Sequence, residues 1–223
     1  MEMIKVRKKE GMKMKISKWI FCVVAVALSL AYQVNQGAVN AGEMTPISKR
    51  QEARSLGDPT APVQMLVFSS MTCSHCSVFH TDVLSKVEDE YINKGKVYMT
   101  YIDFPFDQRA LAGAMLARCI PEKDYFSFLN TLFKNQSNWA FNEKAGEIIM
   151  QYASTEGLSK ADVNVCLSDA QLKNKIIADR DFYQKKYDVT GTPTVALIKG
   201  DKTEVVSGAS YRKLKSTIED LLK

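Results

Sequence analysis

Cys73 and Cys76 stand at a change of hydrophobic period, and that junction constrains the fold more than any other feature of the sequence. Before it, Val63 to Ser69 is a short apolar run with β-branched and aromatic members, the pattern of a buried strand. From Cys73 onward, Cys76, Phe79, His80, Val83, Leu84, Val87 and Tyr91 recur at helical spacing until Gly95 supplies a stop. Val97 to Ile102 then alternates as a second strand. The order is strand, helix, strand, with the two cysteines at the first strand-to-helix turn.

The rest of the chain falls into two blocks. Residues 107–187 read as helical throughout, with a stripe at Leu111, Ala114, Met115 and Arg118 and a strongly amphipathic one from Tyr125 to Phe133. Ser159 with Asp162 forms a capping-box variant that opens a short helix carrying Cys166. After Gly191, Pro193 to Ile198 is a strand, Lys199-Gly200-Asp201 a hairpin turn, and Thr203 to Val206 the returning strand. Tyr211 to Leu222 closes the chain as a helix. The expected organisation is a signal peptide at 1–41, a flexible arm at 42–56, and an α/β domain in two parts, 57–106 and 188–223. The helical insertion at 107–187 would seat over one end of a shared sheet.

Charge supports the first boundary. The formal net charge of +5 resides in residues 1–42, which hold seven basic and two acidic side chains, leaving 23 of each in the remainder. A neutral domain excludes a nucleic-acid binder, which needs a positive surplus on its folded surface. The basic stretch ends at Lys18 and an apolar run follows from Trp19 to Tyr32, about 14 residues against the roughly 20 of a membrane span. Val39-Asn40-Ala41 offers small side chains for cleavage, the layout of a secretion signal, with an uncleaved anchor as the alternative. Cys22 falls inside this segment. The four other cysteines (Cys73, Cys76, Cys119 and Cys166) are an even count in an exported chain, which points to disulfides.

Disulfide exchange needs one exposed thiolate to attack and a second thiol to resolve the mixed disulfide. At a helix start, Cys73 would meet unpaired N–H groups and the positive end of the helix dipole, which favour its thiolate. Cys76, one turn on, would be the buried resolving thiol. The His75 ring, placed beside Cys73, would further favour the thiolate and hence the reduced form, which makes the disulfide oxidising. A different chemistry is open to the same residues: Cys73, Cys76 and His80, with His75, could carry a metal, although structural zinc usually draws on two separated pairs. Ser77 after Cys76 excludes a c-type haem. Far downstream, Gly191-Thr192-Pro193-Thr194 places a proline at a strand start, where a missing ladder donor is tolerated.

Taken together, Gly57-Asp58-Pro59, the stretch from Phe68 to Cys76, the helical block beginning near Ala110 and Gly191-Thr192-Pro193-Thr194 resemble the thioredoxin superfamily, and within it the DsbA-like disulfide oxidoreductases of bacterial envelopes. The resemblance covers residues 57–222. It implies a thioredoxin-like fold with an inserted helical domain, a cis Pro193 packed beside the active-site cysteines, and a Thr192 backbone that pairs with an extended substrate chain. It implies a periplasmic enzyme that moves the Cys73–Cys76 disulfide onto reduced exported proteins and is reoxidised by a quinone-linked membrane partner of the DsbB kind. No cofactor or resident metal is called for. Two departures stand out: Ser74 occupies a position where the family commonly has proline, and the strand before the site lacks the acid many members carry. Proton handling at Cys76 would then fall to Asp103, another residue or water.

Cys119 and Cys166 both lie in the helical block and neither belongs to a CxxC, so they are expected as a structural disulfide rather than a second redox pair. An envelope isomerase or reductase is the alternative within the same chemistry. It would call for a dimer, for which residues 43–56 are too short, so a monomer is expected. A binding module or chaperone that keeps the fold without the redox role is the alternative outside it.

Overall fold

A computed structural model describes residues 44–223, so the expected signal segment lies outside the described residues. Helix α1 (Ile47–Arg50) and strand β1 (Arg54–Leu56) precede the central strand β2 (Val63–Ser69). Helix α2 covers residues 74–92 and leads to β3 (Val97–Asp103). Six helices follow: α3 (Gln108–Cys119), α4 (Tyr125–Lys134), α5 (Gln136–Trp139), α6 (Ala145–Thr155), α7 (Lys160–Leu167) and α8 (Ala170–Tyr187). The chain closes with β4 (Thr194–Lys199), β5 (Lys202–Ser207) and α9 (Tyr211–Leu222).

The five strands lie in the order β1-β3-β2-β4-β5. β2 and β3 run parallel, as a strand–helix–strand unit requires, and the other pairs are antiparallel. The inserted helices thus leave the sheet after β3 and return to it at β4. β2 is covered on both faces. Val63, Met65 and Val67 join the main core with Phe79, Val87, Leu214 and Ile218, while Phe68 packs on the other face with Phe104, Ala196 and Tyr183 and Tyr187 of α8. Burial on both faces explains the nearly continuous apolar run of β2. No helix among the described residues is long and apolar enough to cross a membrane.

The expected flexible arm is corrected by the structure from residue 44 onward. Thr45 donates its N–H to the Cys119 carbonyl at 2.8 Å, and β1 pairs along the outer edge of β3, making a fifth strand. Arg50 and Arg54 are buried. Arg54 donates to the carbonyls of Lys49, Glu52 and Arg118, and its guanidinium lies 5.4 Å from the centre of the Tyr125 ring. Backbone carbonyls and an aromatic face thus replace the water a buried guanidinium gives up. Gly57, at φ 100°, makes the turn that follows; a Cβ there would meet the Val97 carbonyl at 2.9 Å.

Helix α2 keeps the expected apolar stripe but is not uniformly α-helical. It includes π-helical turns at Phe79–Leu84 and Glu88–Ile92. Ser159 and Asp162 form a reciprocal capping box at the start of α7. Cys119, at the end of α3, and Cys166, in α7, are joined by a disulfide across 47 residues of sequence.

Candidate active site

Cys73 is the N-cap of α2. Its carbonyl accepts the N–H groups of Cys76 and Ser77 at 3.0 and 3.2 Å, and its own N–H donates to Ser70. The thiol is therefore presented at the first turn, half exposed, where the unpaired N–H groups of the helix converge. Cys76 is fully buried beneath it. Both are free thiols, so the site is in its reduced form.

The inserted helices grip this turn. Gln136, buried at the start of α5, donates through Nε2 to the carbonyls of Met71 and Cys73 at 2.8 and 2.9 Å. Thr72 donates to Asp107 Oδ2 at 2.6 Å, while Asp107 Oδ1 caps α3 by accepting from Ala110. Ser77 donates to the Phe133 carbonyl at 2.8 Å. None of these partners belongs to a motif, and no sequence pattern singles out Gln136; only the fold brings it to the cysteines.

The loop before β4 faces Cys73 from the other side. The Thr192–Pro193 bond is cis, and the Cys73 thiol donates to the Thr192 carbonyl at 3.3 Å. Pro193 in turn accepts the Gly208 N–H at 2.9 Å. The two ends of the chain thereby bring the CxxC and the proline together.

The two thiols are held in opposite states. Hydrogen bonds lower the Cys73 pKa to about 5, first from the Cys76 thiol, then at Thr192 and from the N–H groups of Cys76 and His75. Burial pushes Cys76 far above its ordinary range. The His75 ring was expected to act on the Cys73 thiolate; it is exposed, and His75 takes part through its backbone N–H.

His80 also differs from the metal-carrier expectation. Its Nε2 lies 3.2 Å from Ser69 Oγ and its ring stacks on Phe133 at 4.0 Å, interplanar angle 10°. Burial drops its pKa to about 3, so it is neutral. Among the described residues, no three His, Cys, Asp or Glu side chains come together as a metal site. Asp103 pairs through Oδ2 with Arg118 at 2.8 Å in a buried salt bridge, and its buried Oδ1 has no partner. Arg118 also donates to the Glu52 carbonyl, which ties the ion pair to the N-terminal segment.

A half-exposed thiolate at a helix start and a buried thiol behind it can accept, hold and release a disulfide. Known proteins resemble this chain in sequence and fold. The thioredoxin family matches residues 49–220. Disulfide bond formation protein D of Bacillus subtilis is 26% identical over 179 residues, 75% of this chain and 76% of its own length. A Bacillus cereus protein of the same designation is 30% identical over 211 residues, covering 90% of this chain and 92% of that one. A Rickettsia bellii protein-disulfide oxidoreductase is 26% identical over 150 residues, and the chain spans 58% of that relative's length. Among solved structures, alpha-DsbA1 of Wolbachia pipientis superposes with a TM-score of 0.70 at 29% identity, over 76% of this chain and 90% of that one.

Proposed function

Since this chain belongs to the thioredoxin family, in its DsbA-like branch, we propose that it introduces disulfide bonds into reduced, newly exported proteins through the Cys73–Cys76 pair. The observation that carries this reading is the asymmetry of the two thiols. Cys73 is accessible with a pKa near 5, whereas Cys76 is buried and held protonated.

In the disulfide form, a substrate thiolate attacks Cys73 Sγ. The Cys73–Cys76 bond breaks and Cys76 leaves with the electron pair, taking up a proton. A second substrate thiol, losing its proton, attacks the substrate sulfur of the mixed disulfide, forms the new substrate disulfide and expels Cys73. The substrate is oxidised by two electrons and the protein is reduced to the dithiol. Cys73 is a good leaving group because its thiolate is already stabilised, and that same stabilisation favours the reduced protein and makes the disulfide oxidising. The backbone beside Thr192 supports an extended substrate chain laid against the CxxC, by strand addition.

The basic and apolar segment at 1–41, read as a secretion signal, supports a periplasmic site of action, with a quinone-linked membrane oxidase of the DsbB kind as the partner that re-forms the disulfide. The protein works as a monomer, without cofactor. The test is a trap. With Cys76→Ser, the Cys73 thiolate attacks a peptide disulfide, releases one peptide thiol and stays joined to the other, because no Cys76 is there to resolve the mixed disulfide, which accumulates. With Cys73→Ser, exchange is abolished. Undiminished exchange in the Cys73→Ser variant would sink the enzyme reading in favour of a binding module that keeps only the fold.

A further inference from the structure

The strand beneath the CxxC carries no acid: β2 reads Val63-Gln64-Met65-Leu66-Val67-Phe68-Ser69. Asp103, at the end of β3, is bound to Arg118. Yet Cys76 is fully buried, and every exchange cycle must bring a proton to it and later take one away.

Two buried polar side chains next to the CxxC elements, Ser69 at the end of β2 and His80 on α2, are paired with each other. Ser69 works against the burial that pushes the Cys76 thiol up, and its Oγ lies 3.2 Å from His80 Nε2. His80 follows Cys76 by one turn of α2 and lines a cleft of about 210 Å³ between α2 and α4, whose walls include Thr81, Ser85, Asn130 and Lys134. The cleft holds room for several waters. The titratable or charged groups around the ring and cleft are Cys76 and Glu88 on α2, Tyr101 on β3 with a buried, unpaired hydroxyl, and Lys134 on α4.

We infer that Ser69 and His80 form a proton relay between Cys76 and water in this cleft, in place of a strand acid. The inference rests on the disulfide-exchange reading above. When the Cys73–Cys76 bond breaks, Cys76 takes a proton from the Ser69 hydroxyl. Ser69 takes one from His80 Nε2, and the other ring nitrogen takes one from water. The ring stays neutral and changes tautomer. When an external disulfide or quinone-linked oxidant later re-forms the bond, Cys76 returns its proton along the same path and the tautomer resets. A neutral imidazole suits this role because it can accept at one nitrogen while donating at the other.

The test is a rapid-quench measurement of disulfide transfer from the oxidised protein to a reduced dithiol peptide, between about pH 5 and 9. Ser69→Ala and His80→Gln each remove one link, and both should slow transfer on the order of a hundredfold at neutral pH, with a changed pH profile. Ser69→Thr should restore the rate, and free imidazole should rescue His80→Ala. Alkylation of Cys73 in the reduced variants should match wild type, which separates proton transfer from a packing defect. Wild-type rates in Ser69→Ala, or slow transfer confined to Asp103→Asn, would overturn the relay while leaving the oxidoreductase intact. A wild-type protein that transfers no disulfide at all would overturn both.

Discussion

The chemistry at Cys73 is set by hydrogen bonds from one turn of helix and one loop, so it is open to direct titration. Iodoacetamide should alkylate Cys73 in the reduced protein along a single titration centred near pH 5, not near 9, with Cys76 inert. A midpoint near the ordinary thiol value would contradict the described hydrogen bonding. The same shift has a sign for stability. A depressed thiol pKa stabilises the folded dithiol form fully above the ordinary value of 9.0, and that contribution is lost as pH falls through about 5. Cys76 acts in the opposite sense, and its contribution is lost only as pH rises above its ordinary 9.0. From about pH 5 to about pH 8, the reduced protein should therefore gain stability relative to the disulfide form, as read by urea unfolding of both forms. Gln136 makes a separate contribution. Gln136→Ala withdraws the side-chain donor to the Met71 and Cys73 carbonyls and should lower stability by about 1–3 kcal/mol, the usual effect of leaving a buried polar group unpaired.

Elements make their own contributions, and here the sequence was unevenly legible. The period change at Cys73 located the junction of β2 and α2 because both flanks are long enough to show their pattern. β1 is three residues and its Arg54 is buried, so neither period nor hydropathy announces it. Its burial depends on the Arg118–Asp103 pair and on carbonyls from other elements, contacts that exist only after folding. Arg118→Ala would leave Asp103 buried without its counter-charge and should cost about 3–5 kcal/mol, loosening residues 49–54 as seen by amide exchange. The Cys119–Cys166 bond closes 47 residues between α3 and α7. Replacing both cysteines with alanine should cost about 4 kcal/mol by the chain-entropy account, measured in urea, with Cys73 alkylation unchanged. Slower alkylation in that variant would mean the disulfide supports the site as well as the scaffold.

At the scale of the whole molecule, the helical insertion does more than cover the sheet. Asp107, Phe133 and Gln136 all hold the CxxC turn, while Thr192 and Pro193 close on it from the far end of the chain. The two-part α/β domain with an inserted helical block was readable because each part keeps its own period over tens of residues. The grip of the insertion on the turn was not, because Gln136 and Asp107 are ordinary polar residues whose partners are backbone atoms or a threonine hydroxyl. A frame that stabilises the Cys73 thiolate makes the disulfide a donor. Equilibrating the protein against graded glutathione buffers and quantifying reduced Cys73–Cys76 tests that claim most directly. The expected potential lies well above the glutathione couple, with each tenfold gain in thiolate stability raising it by about 30 mV. A potential at or below that couple would contradict it and make the protein a reductase or isomerase.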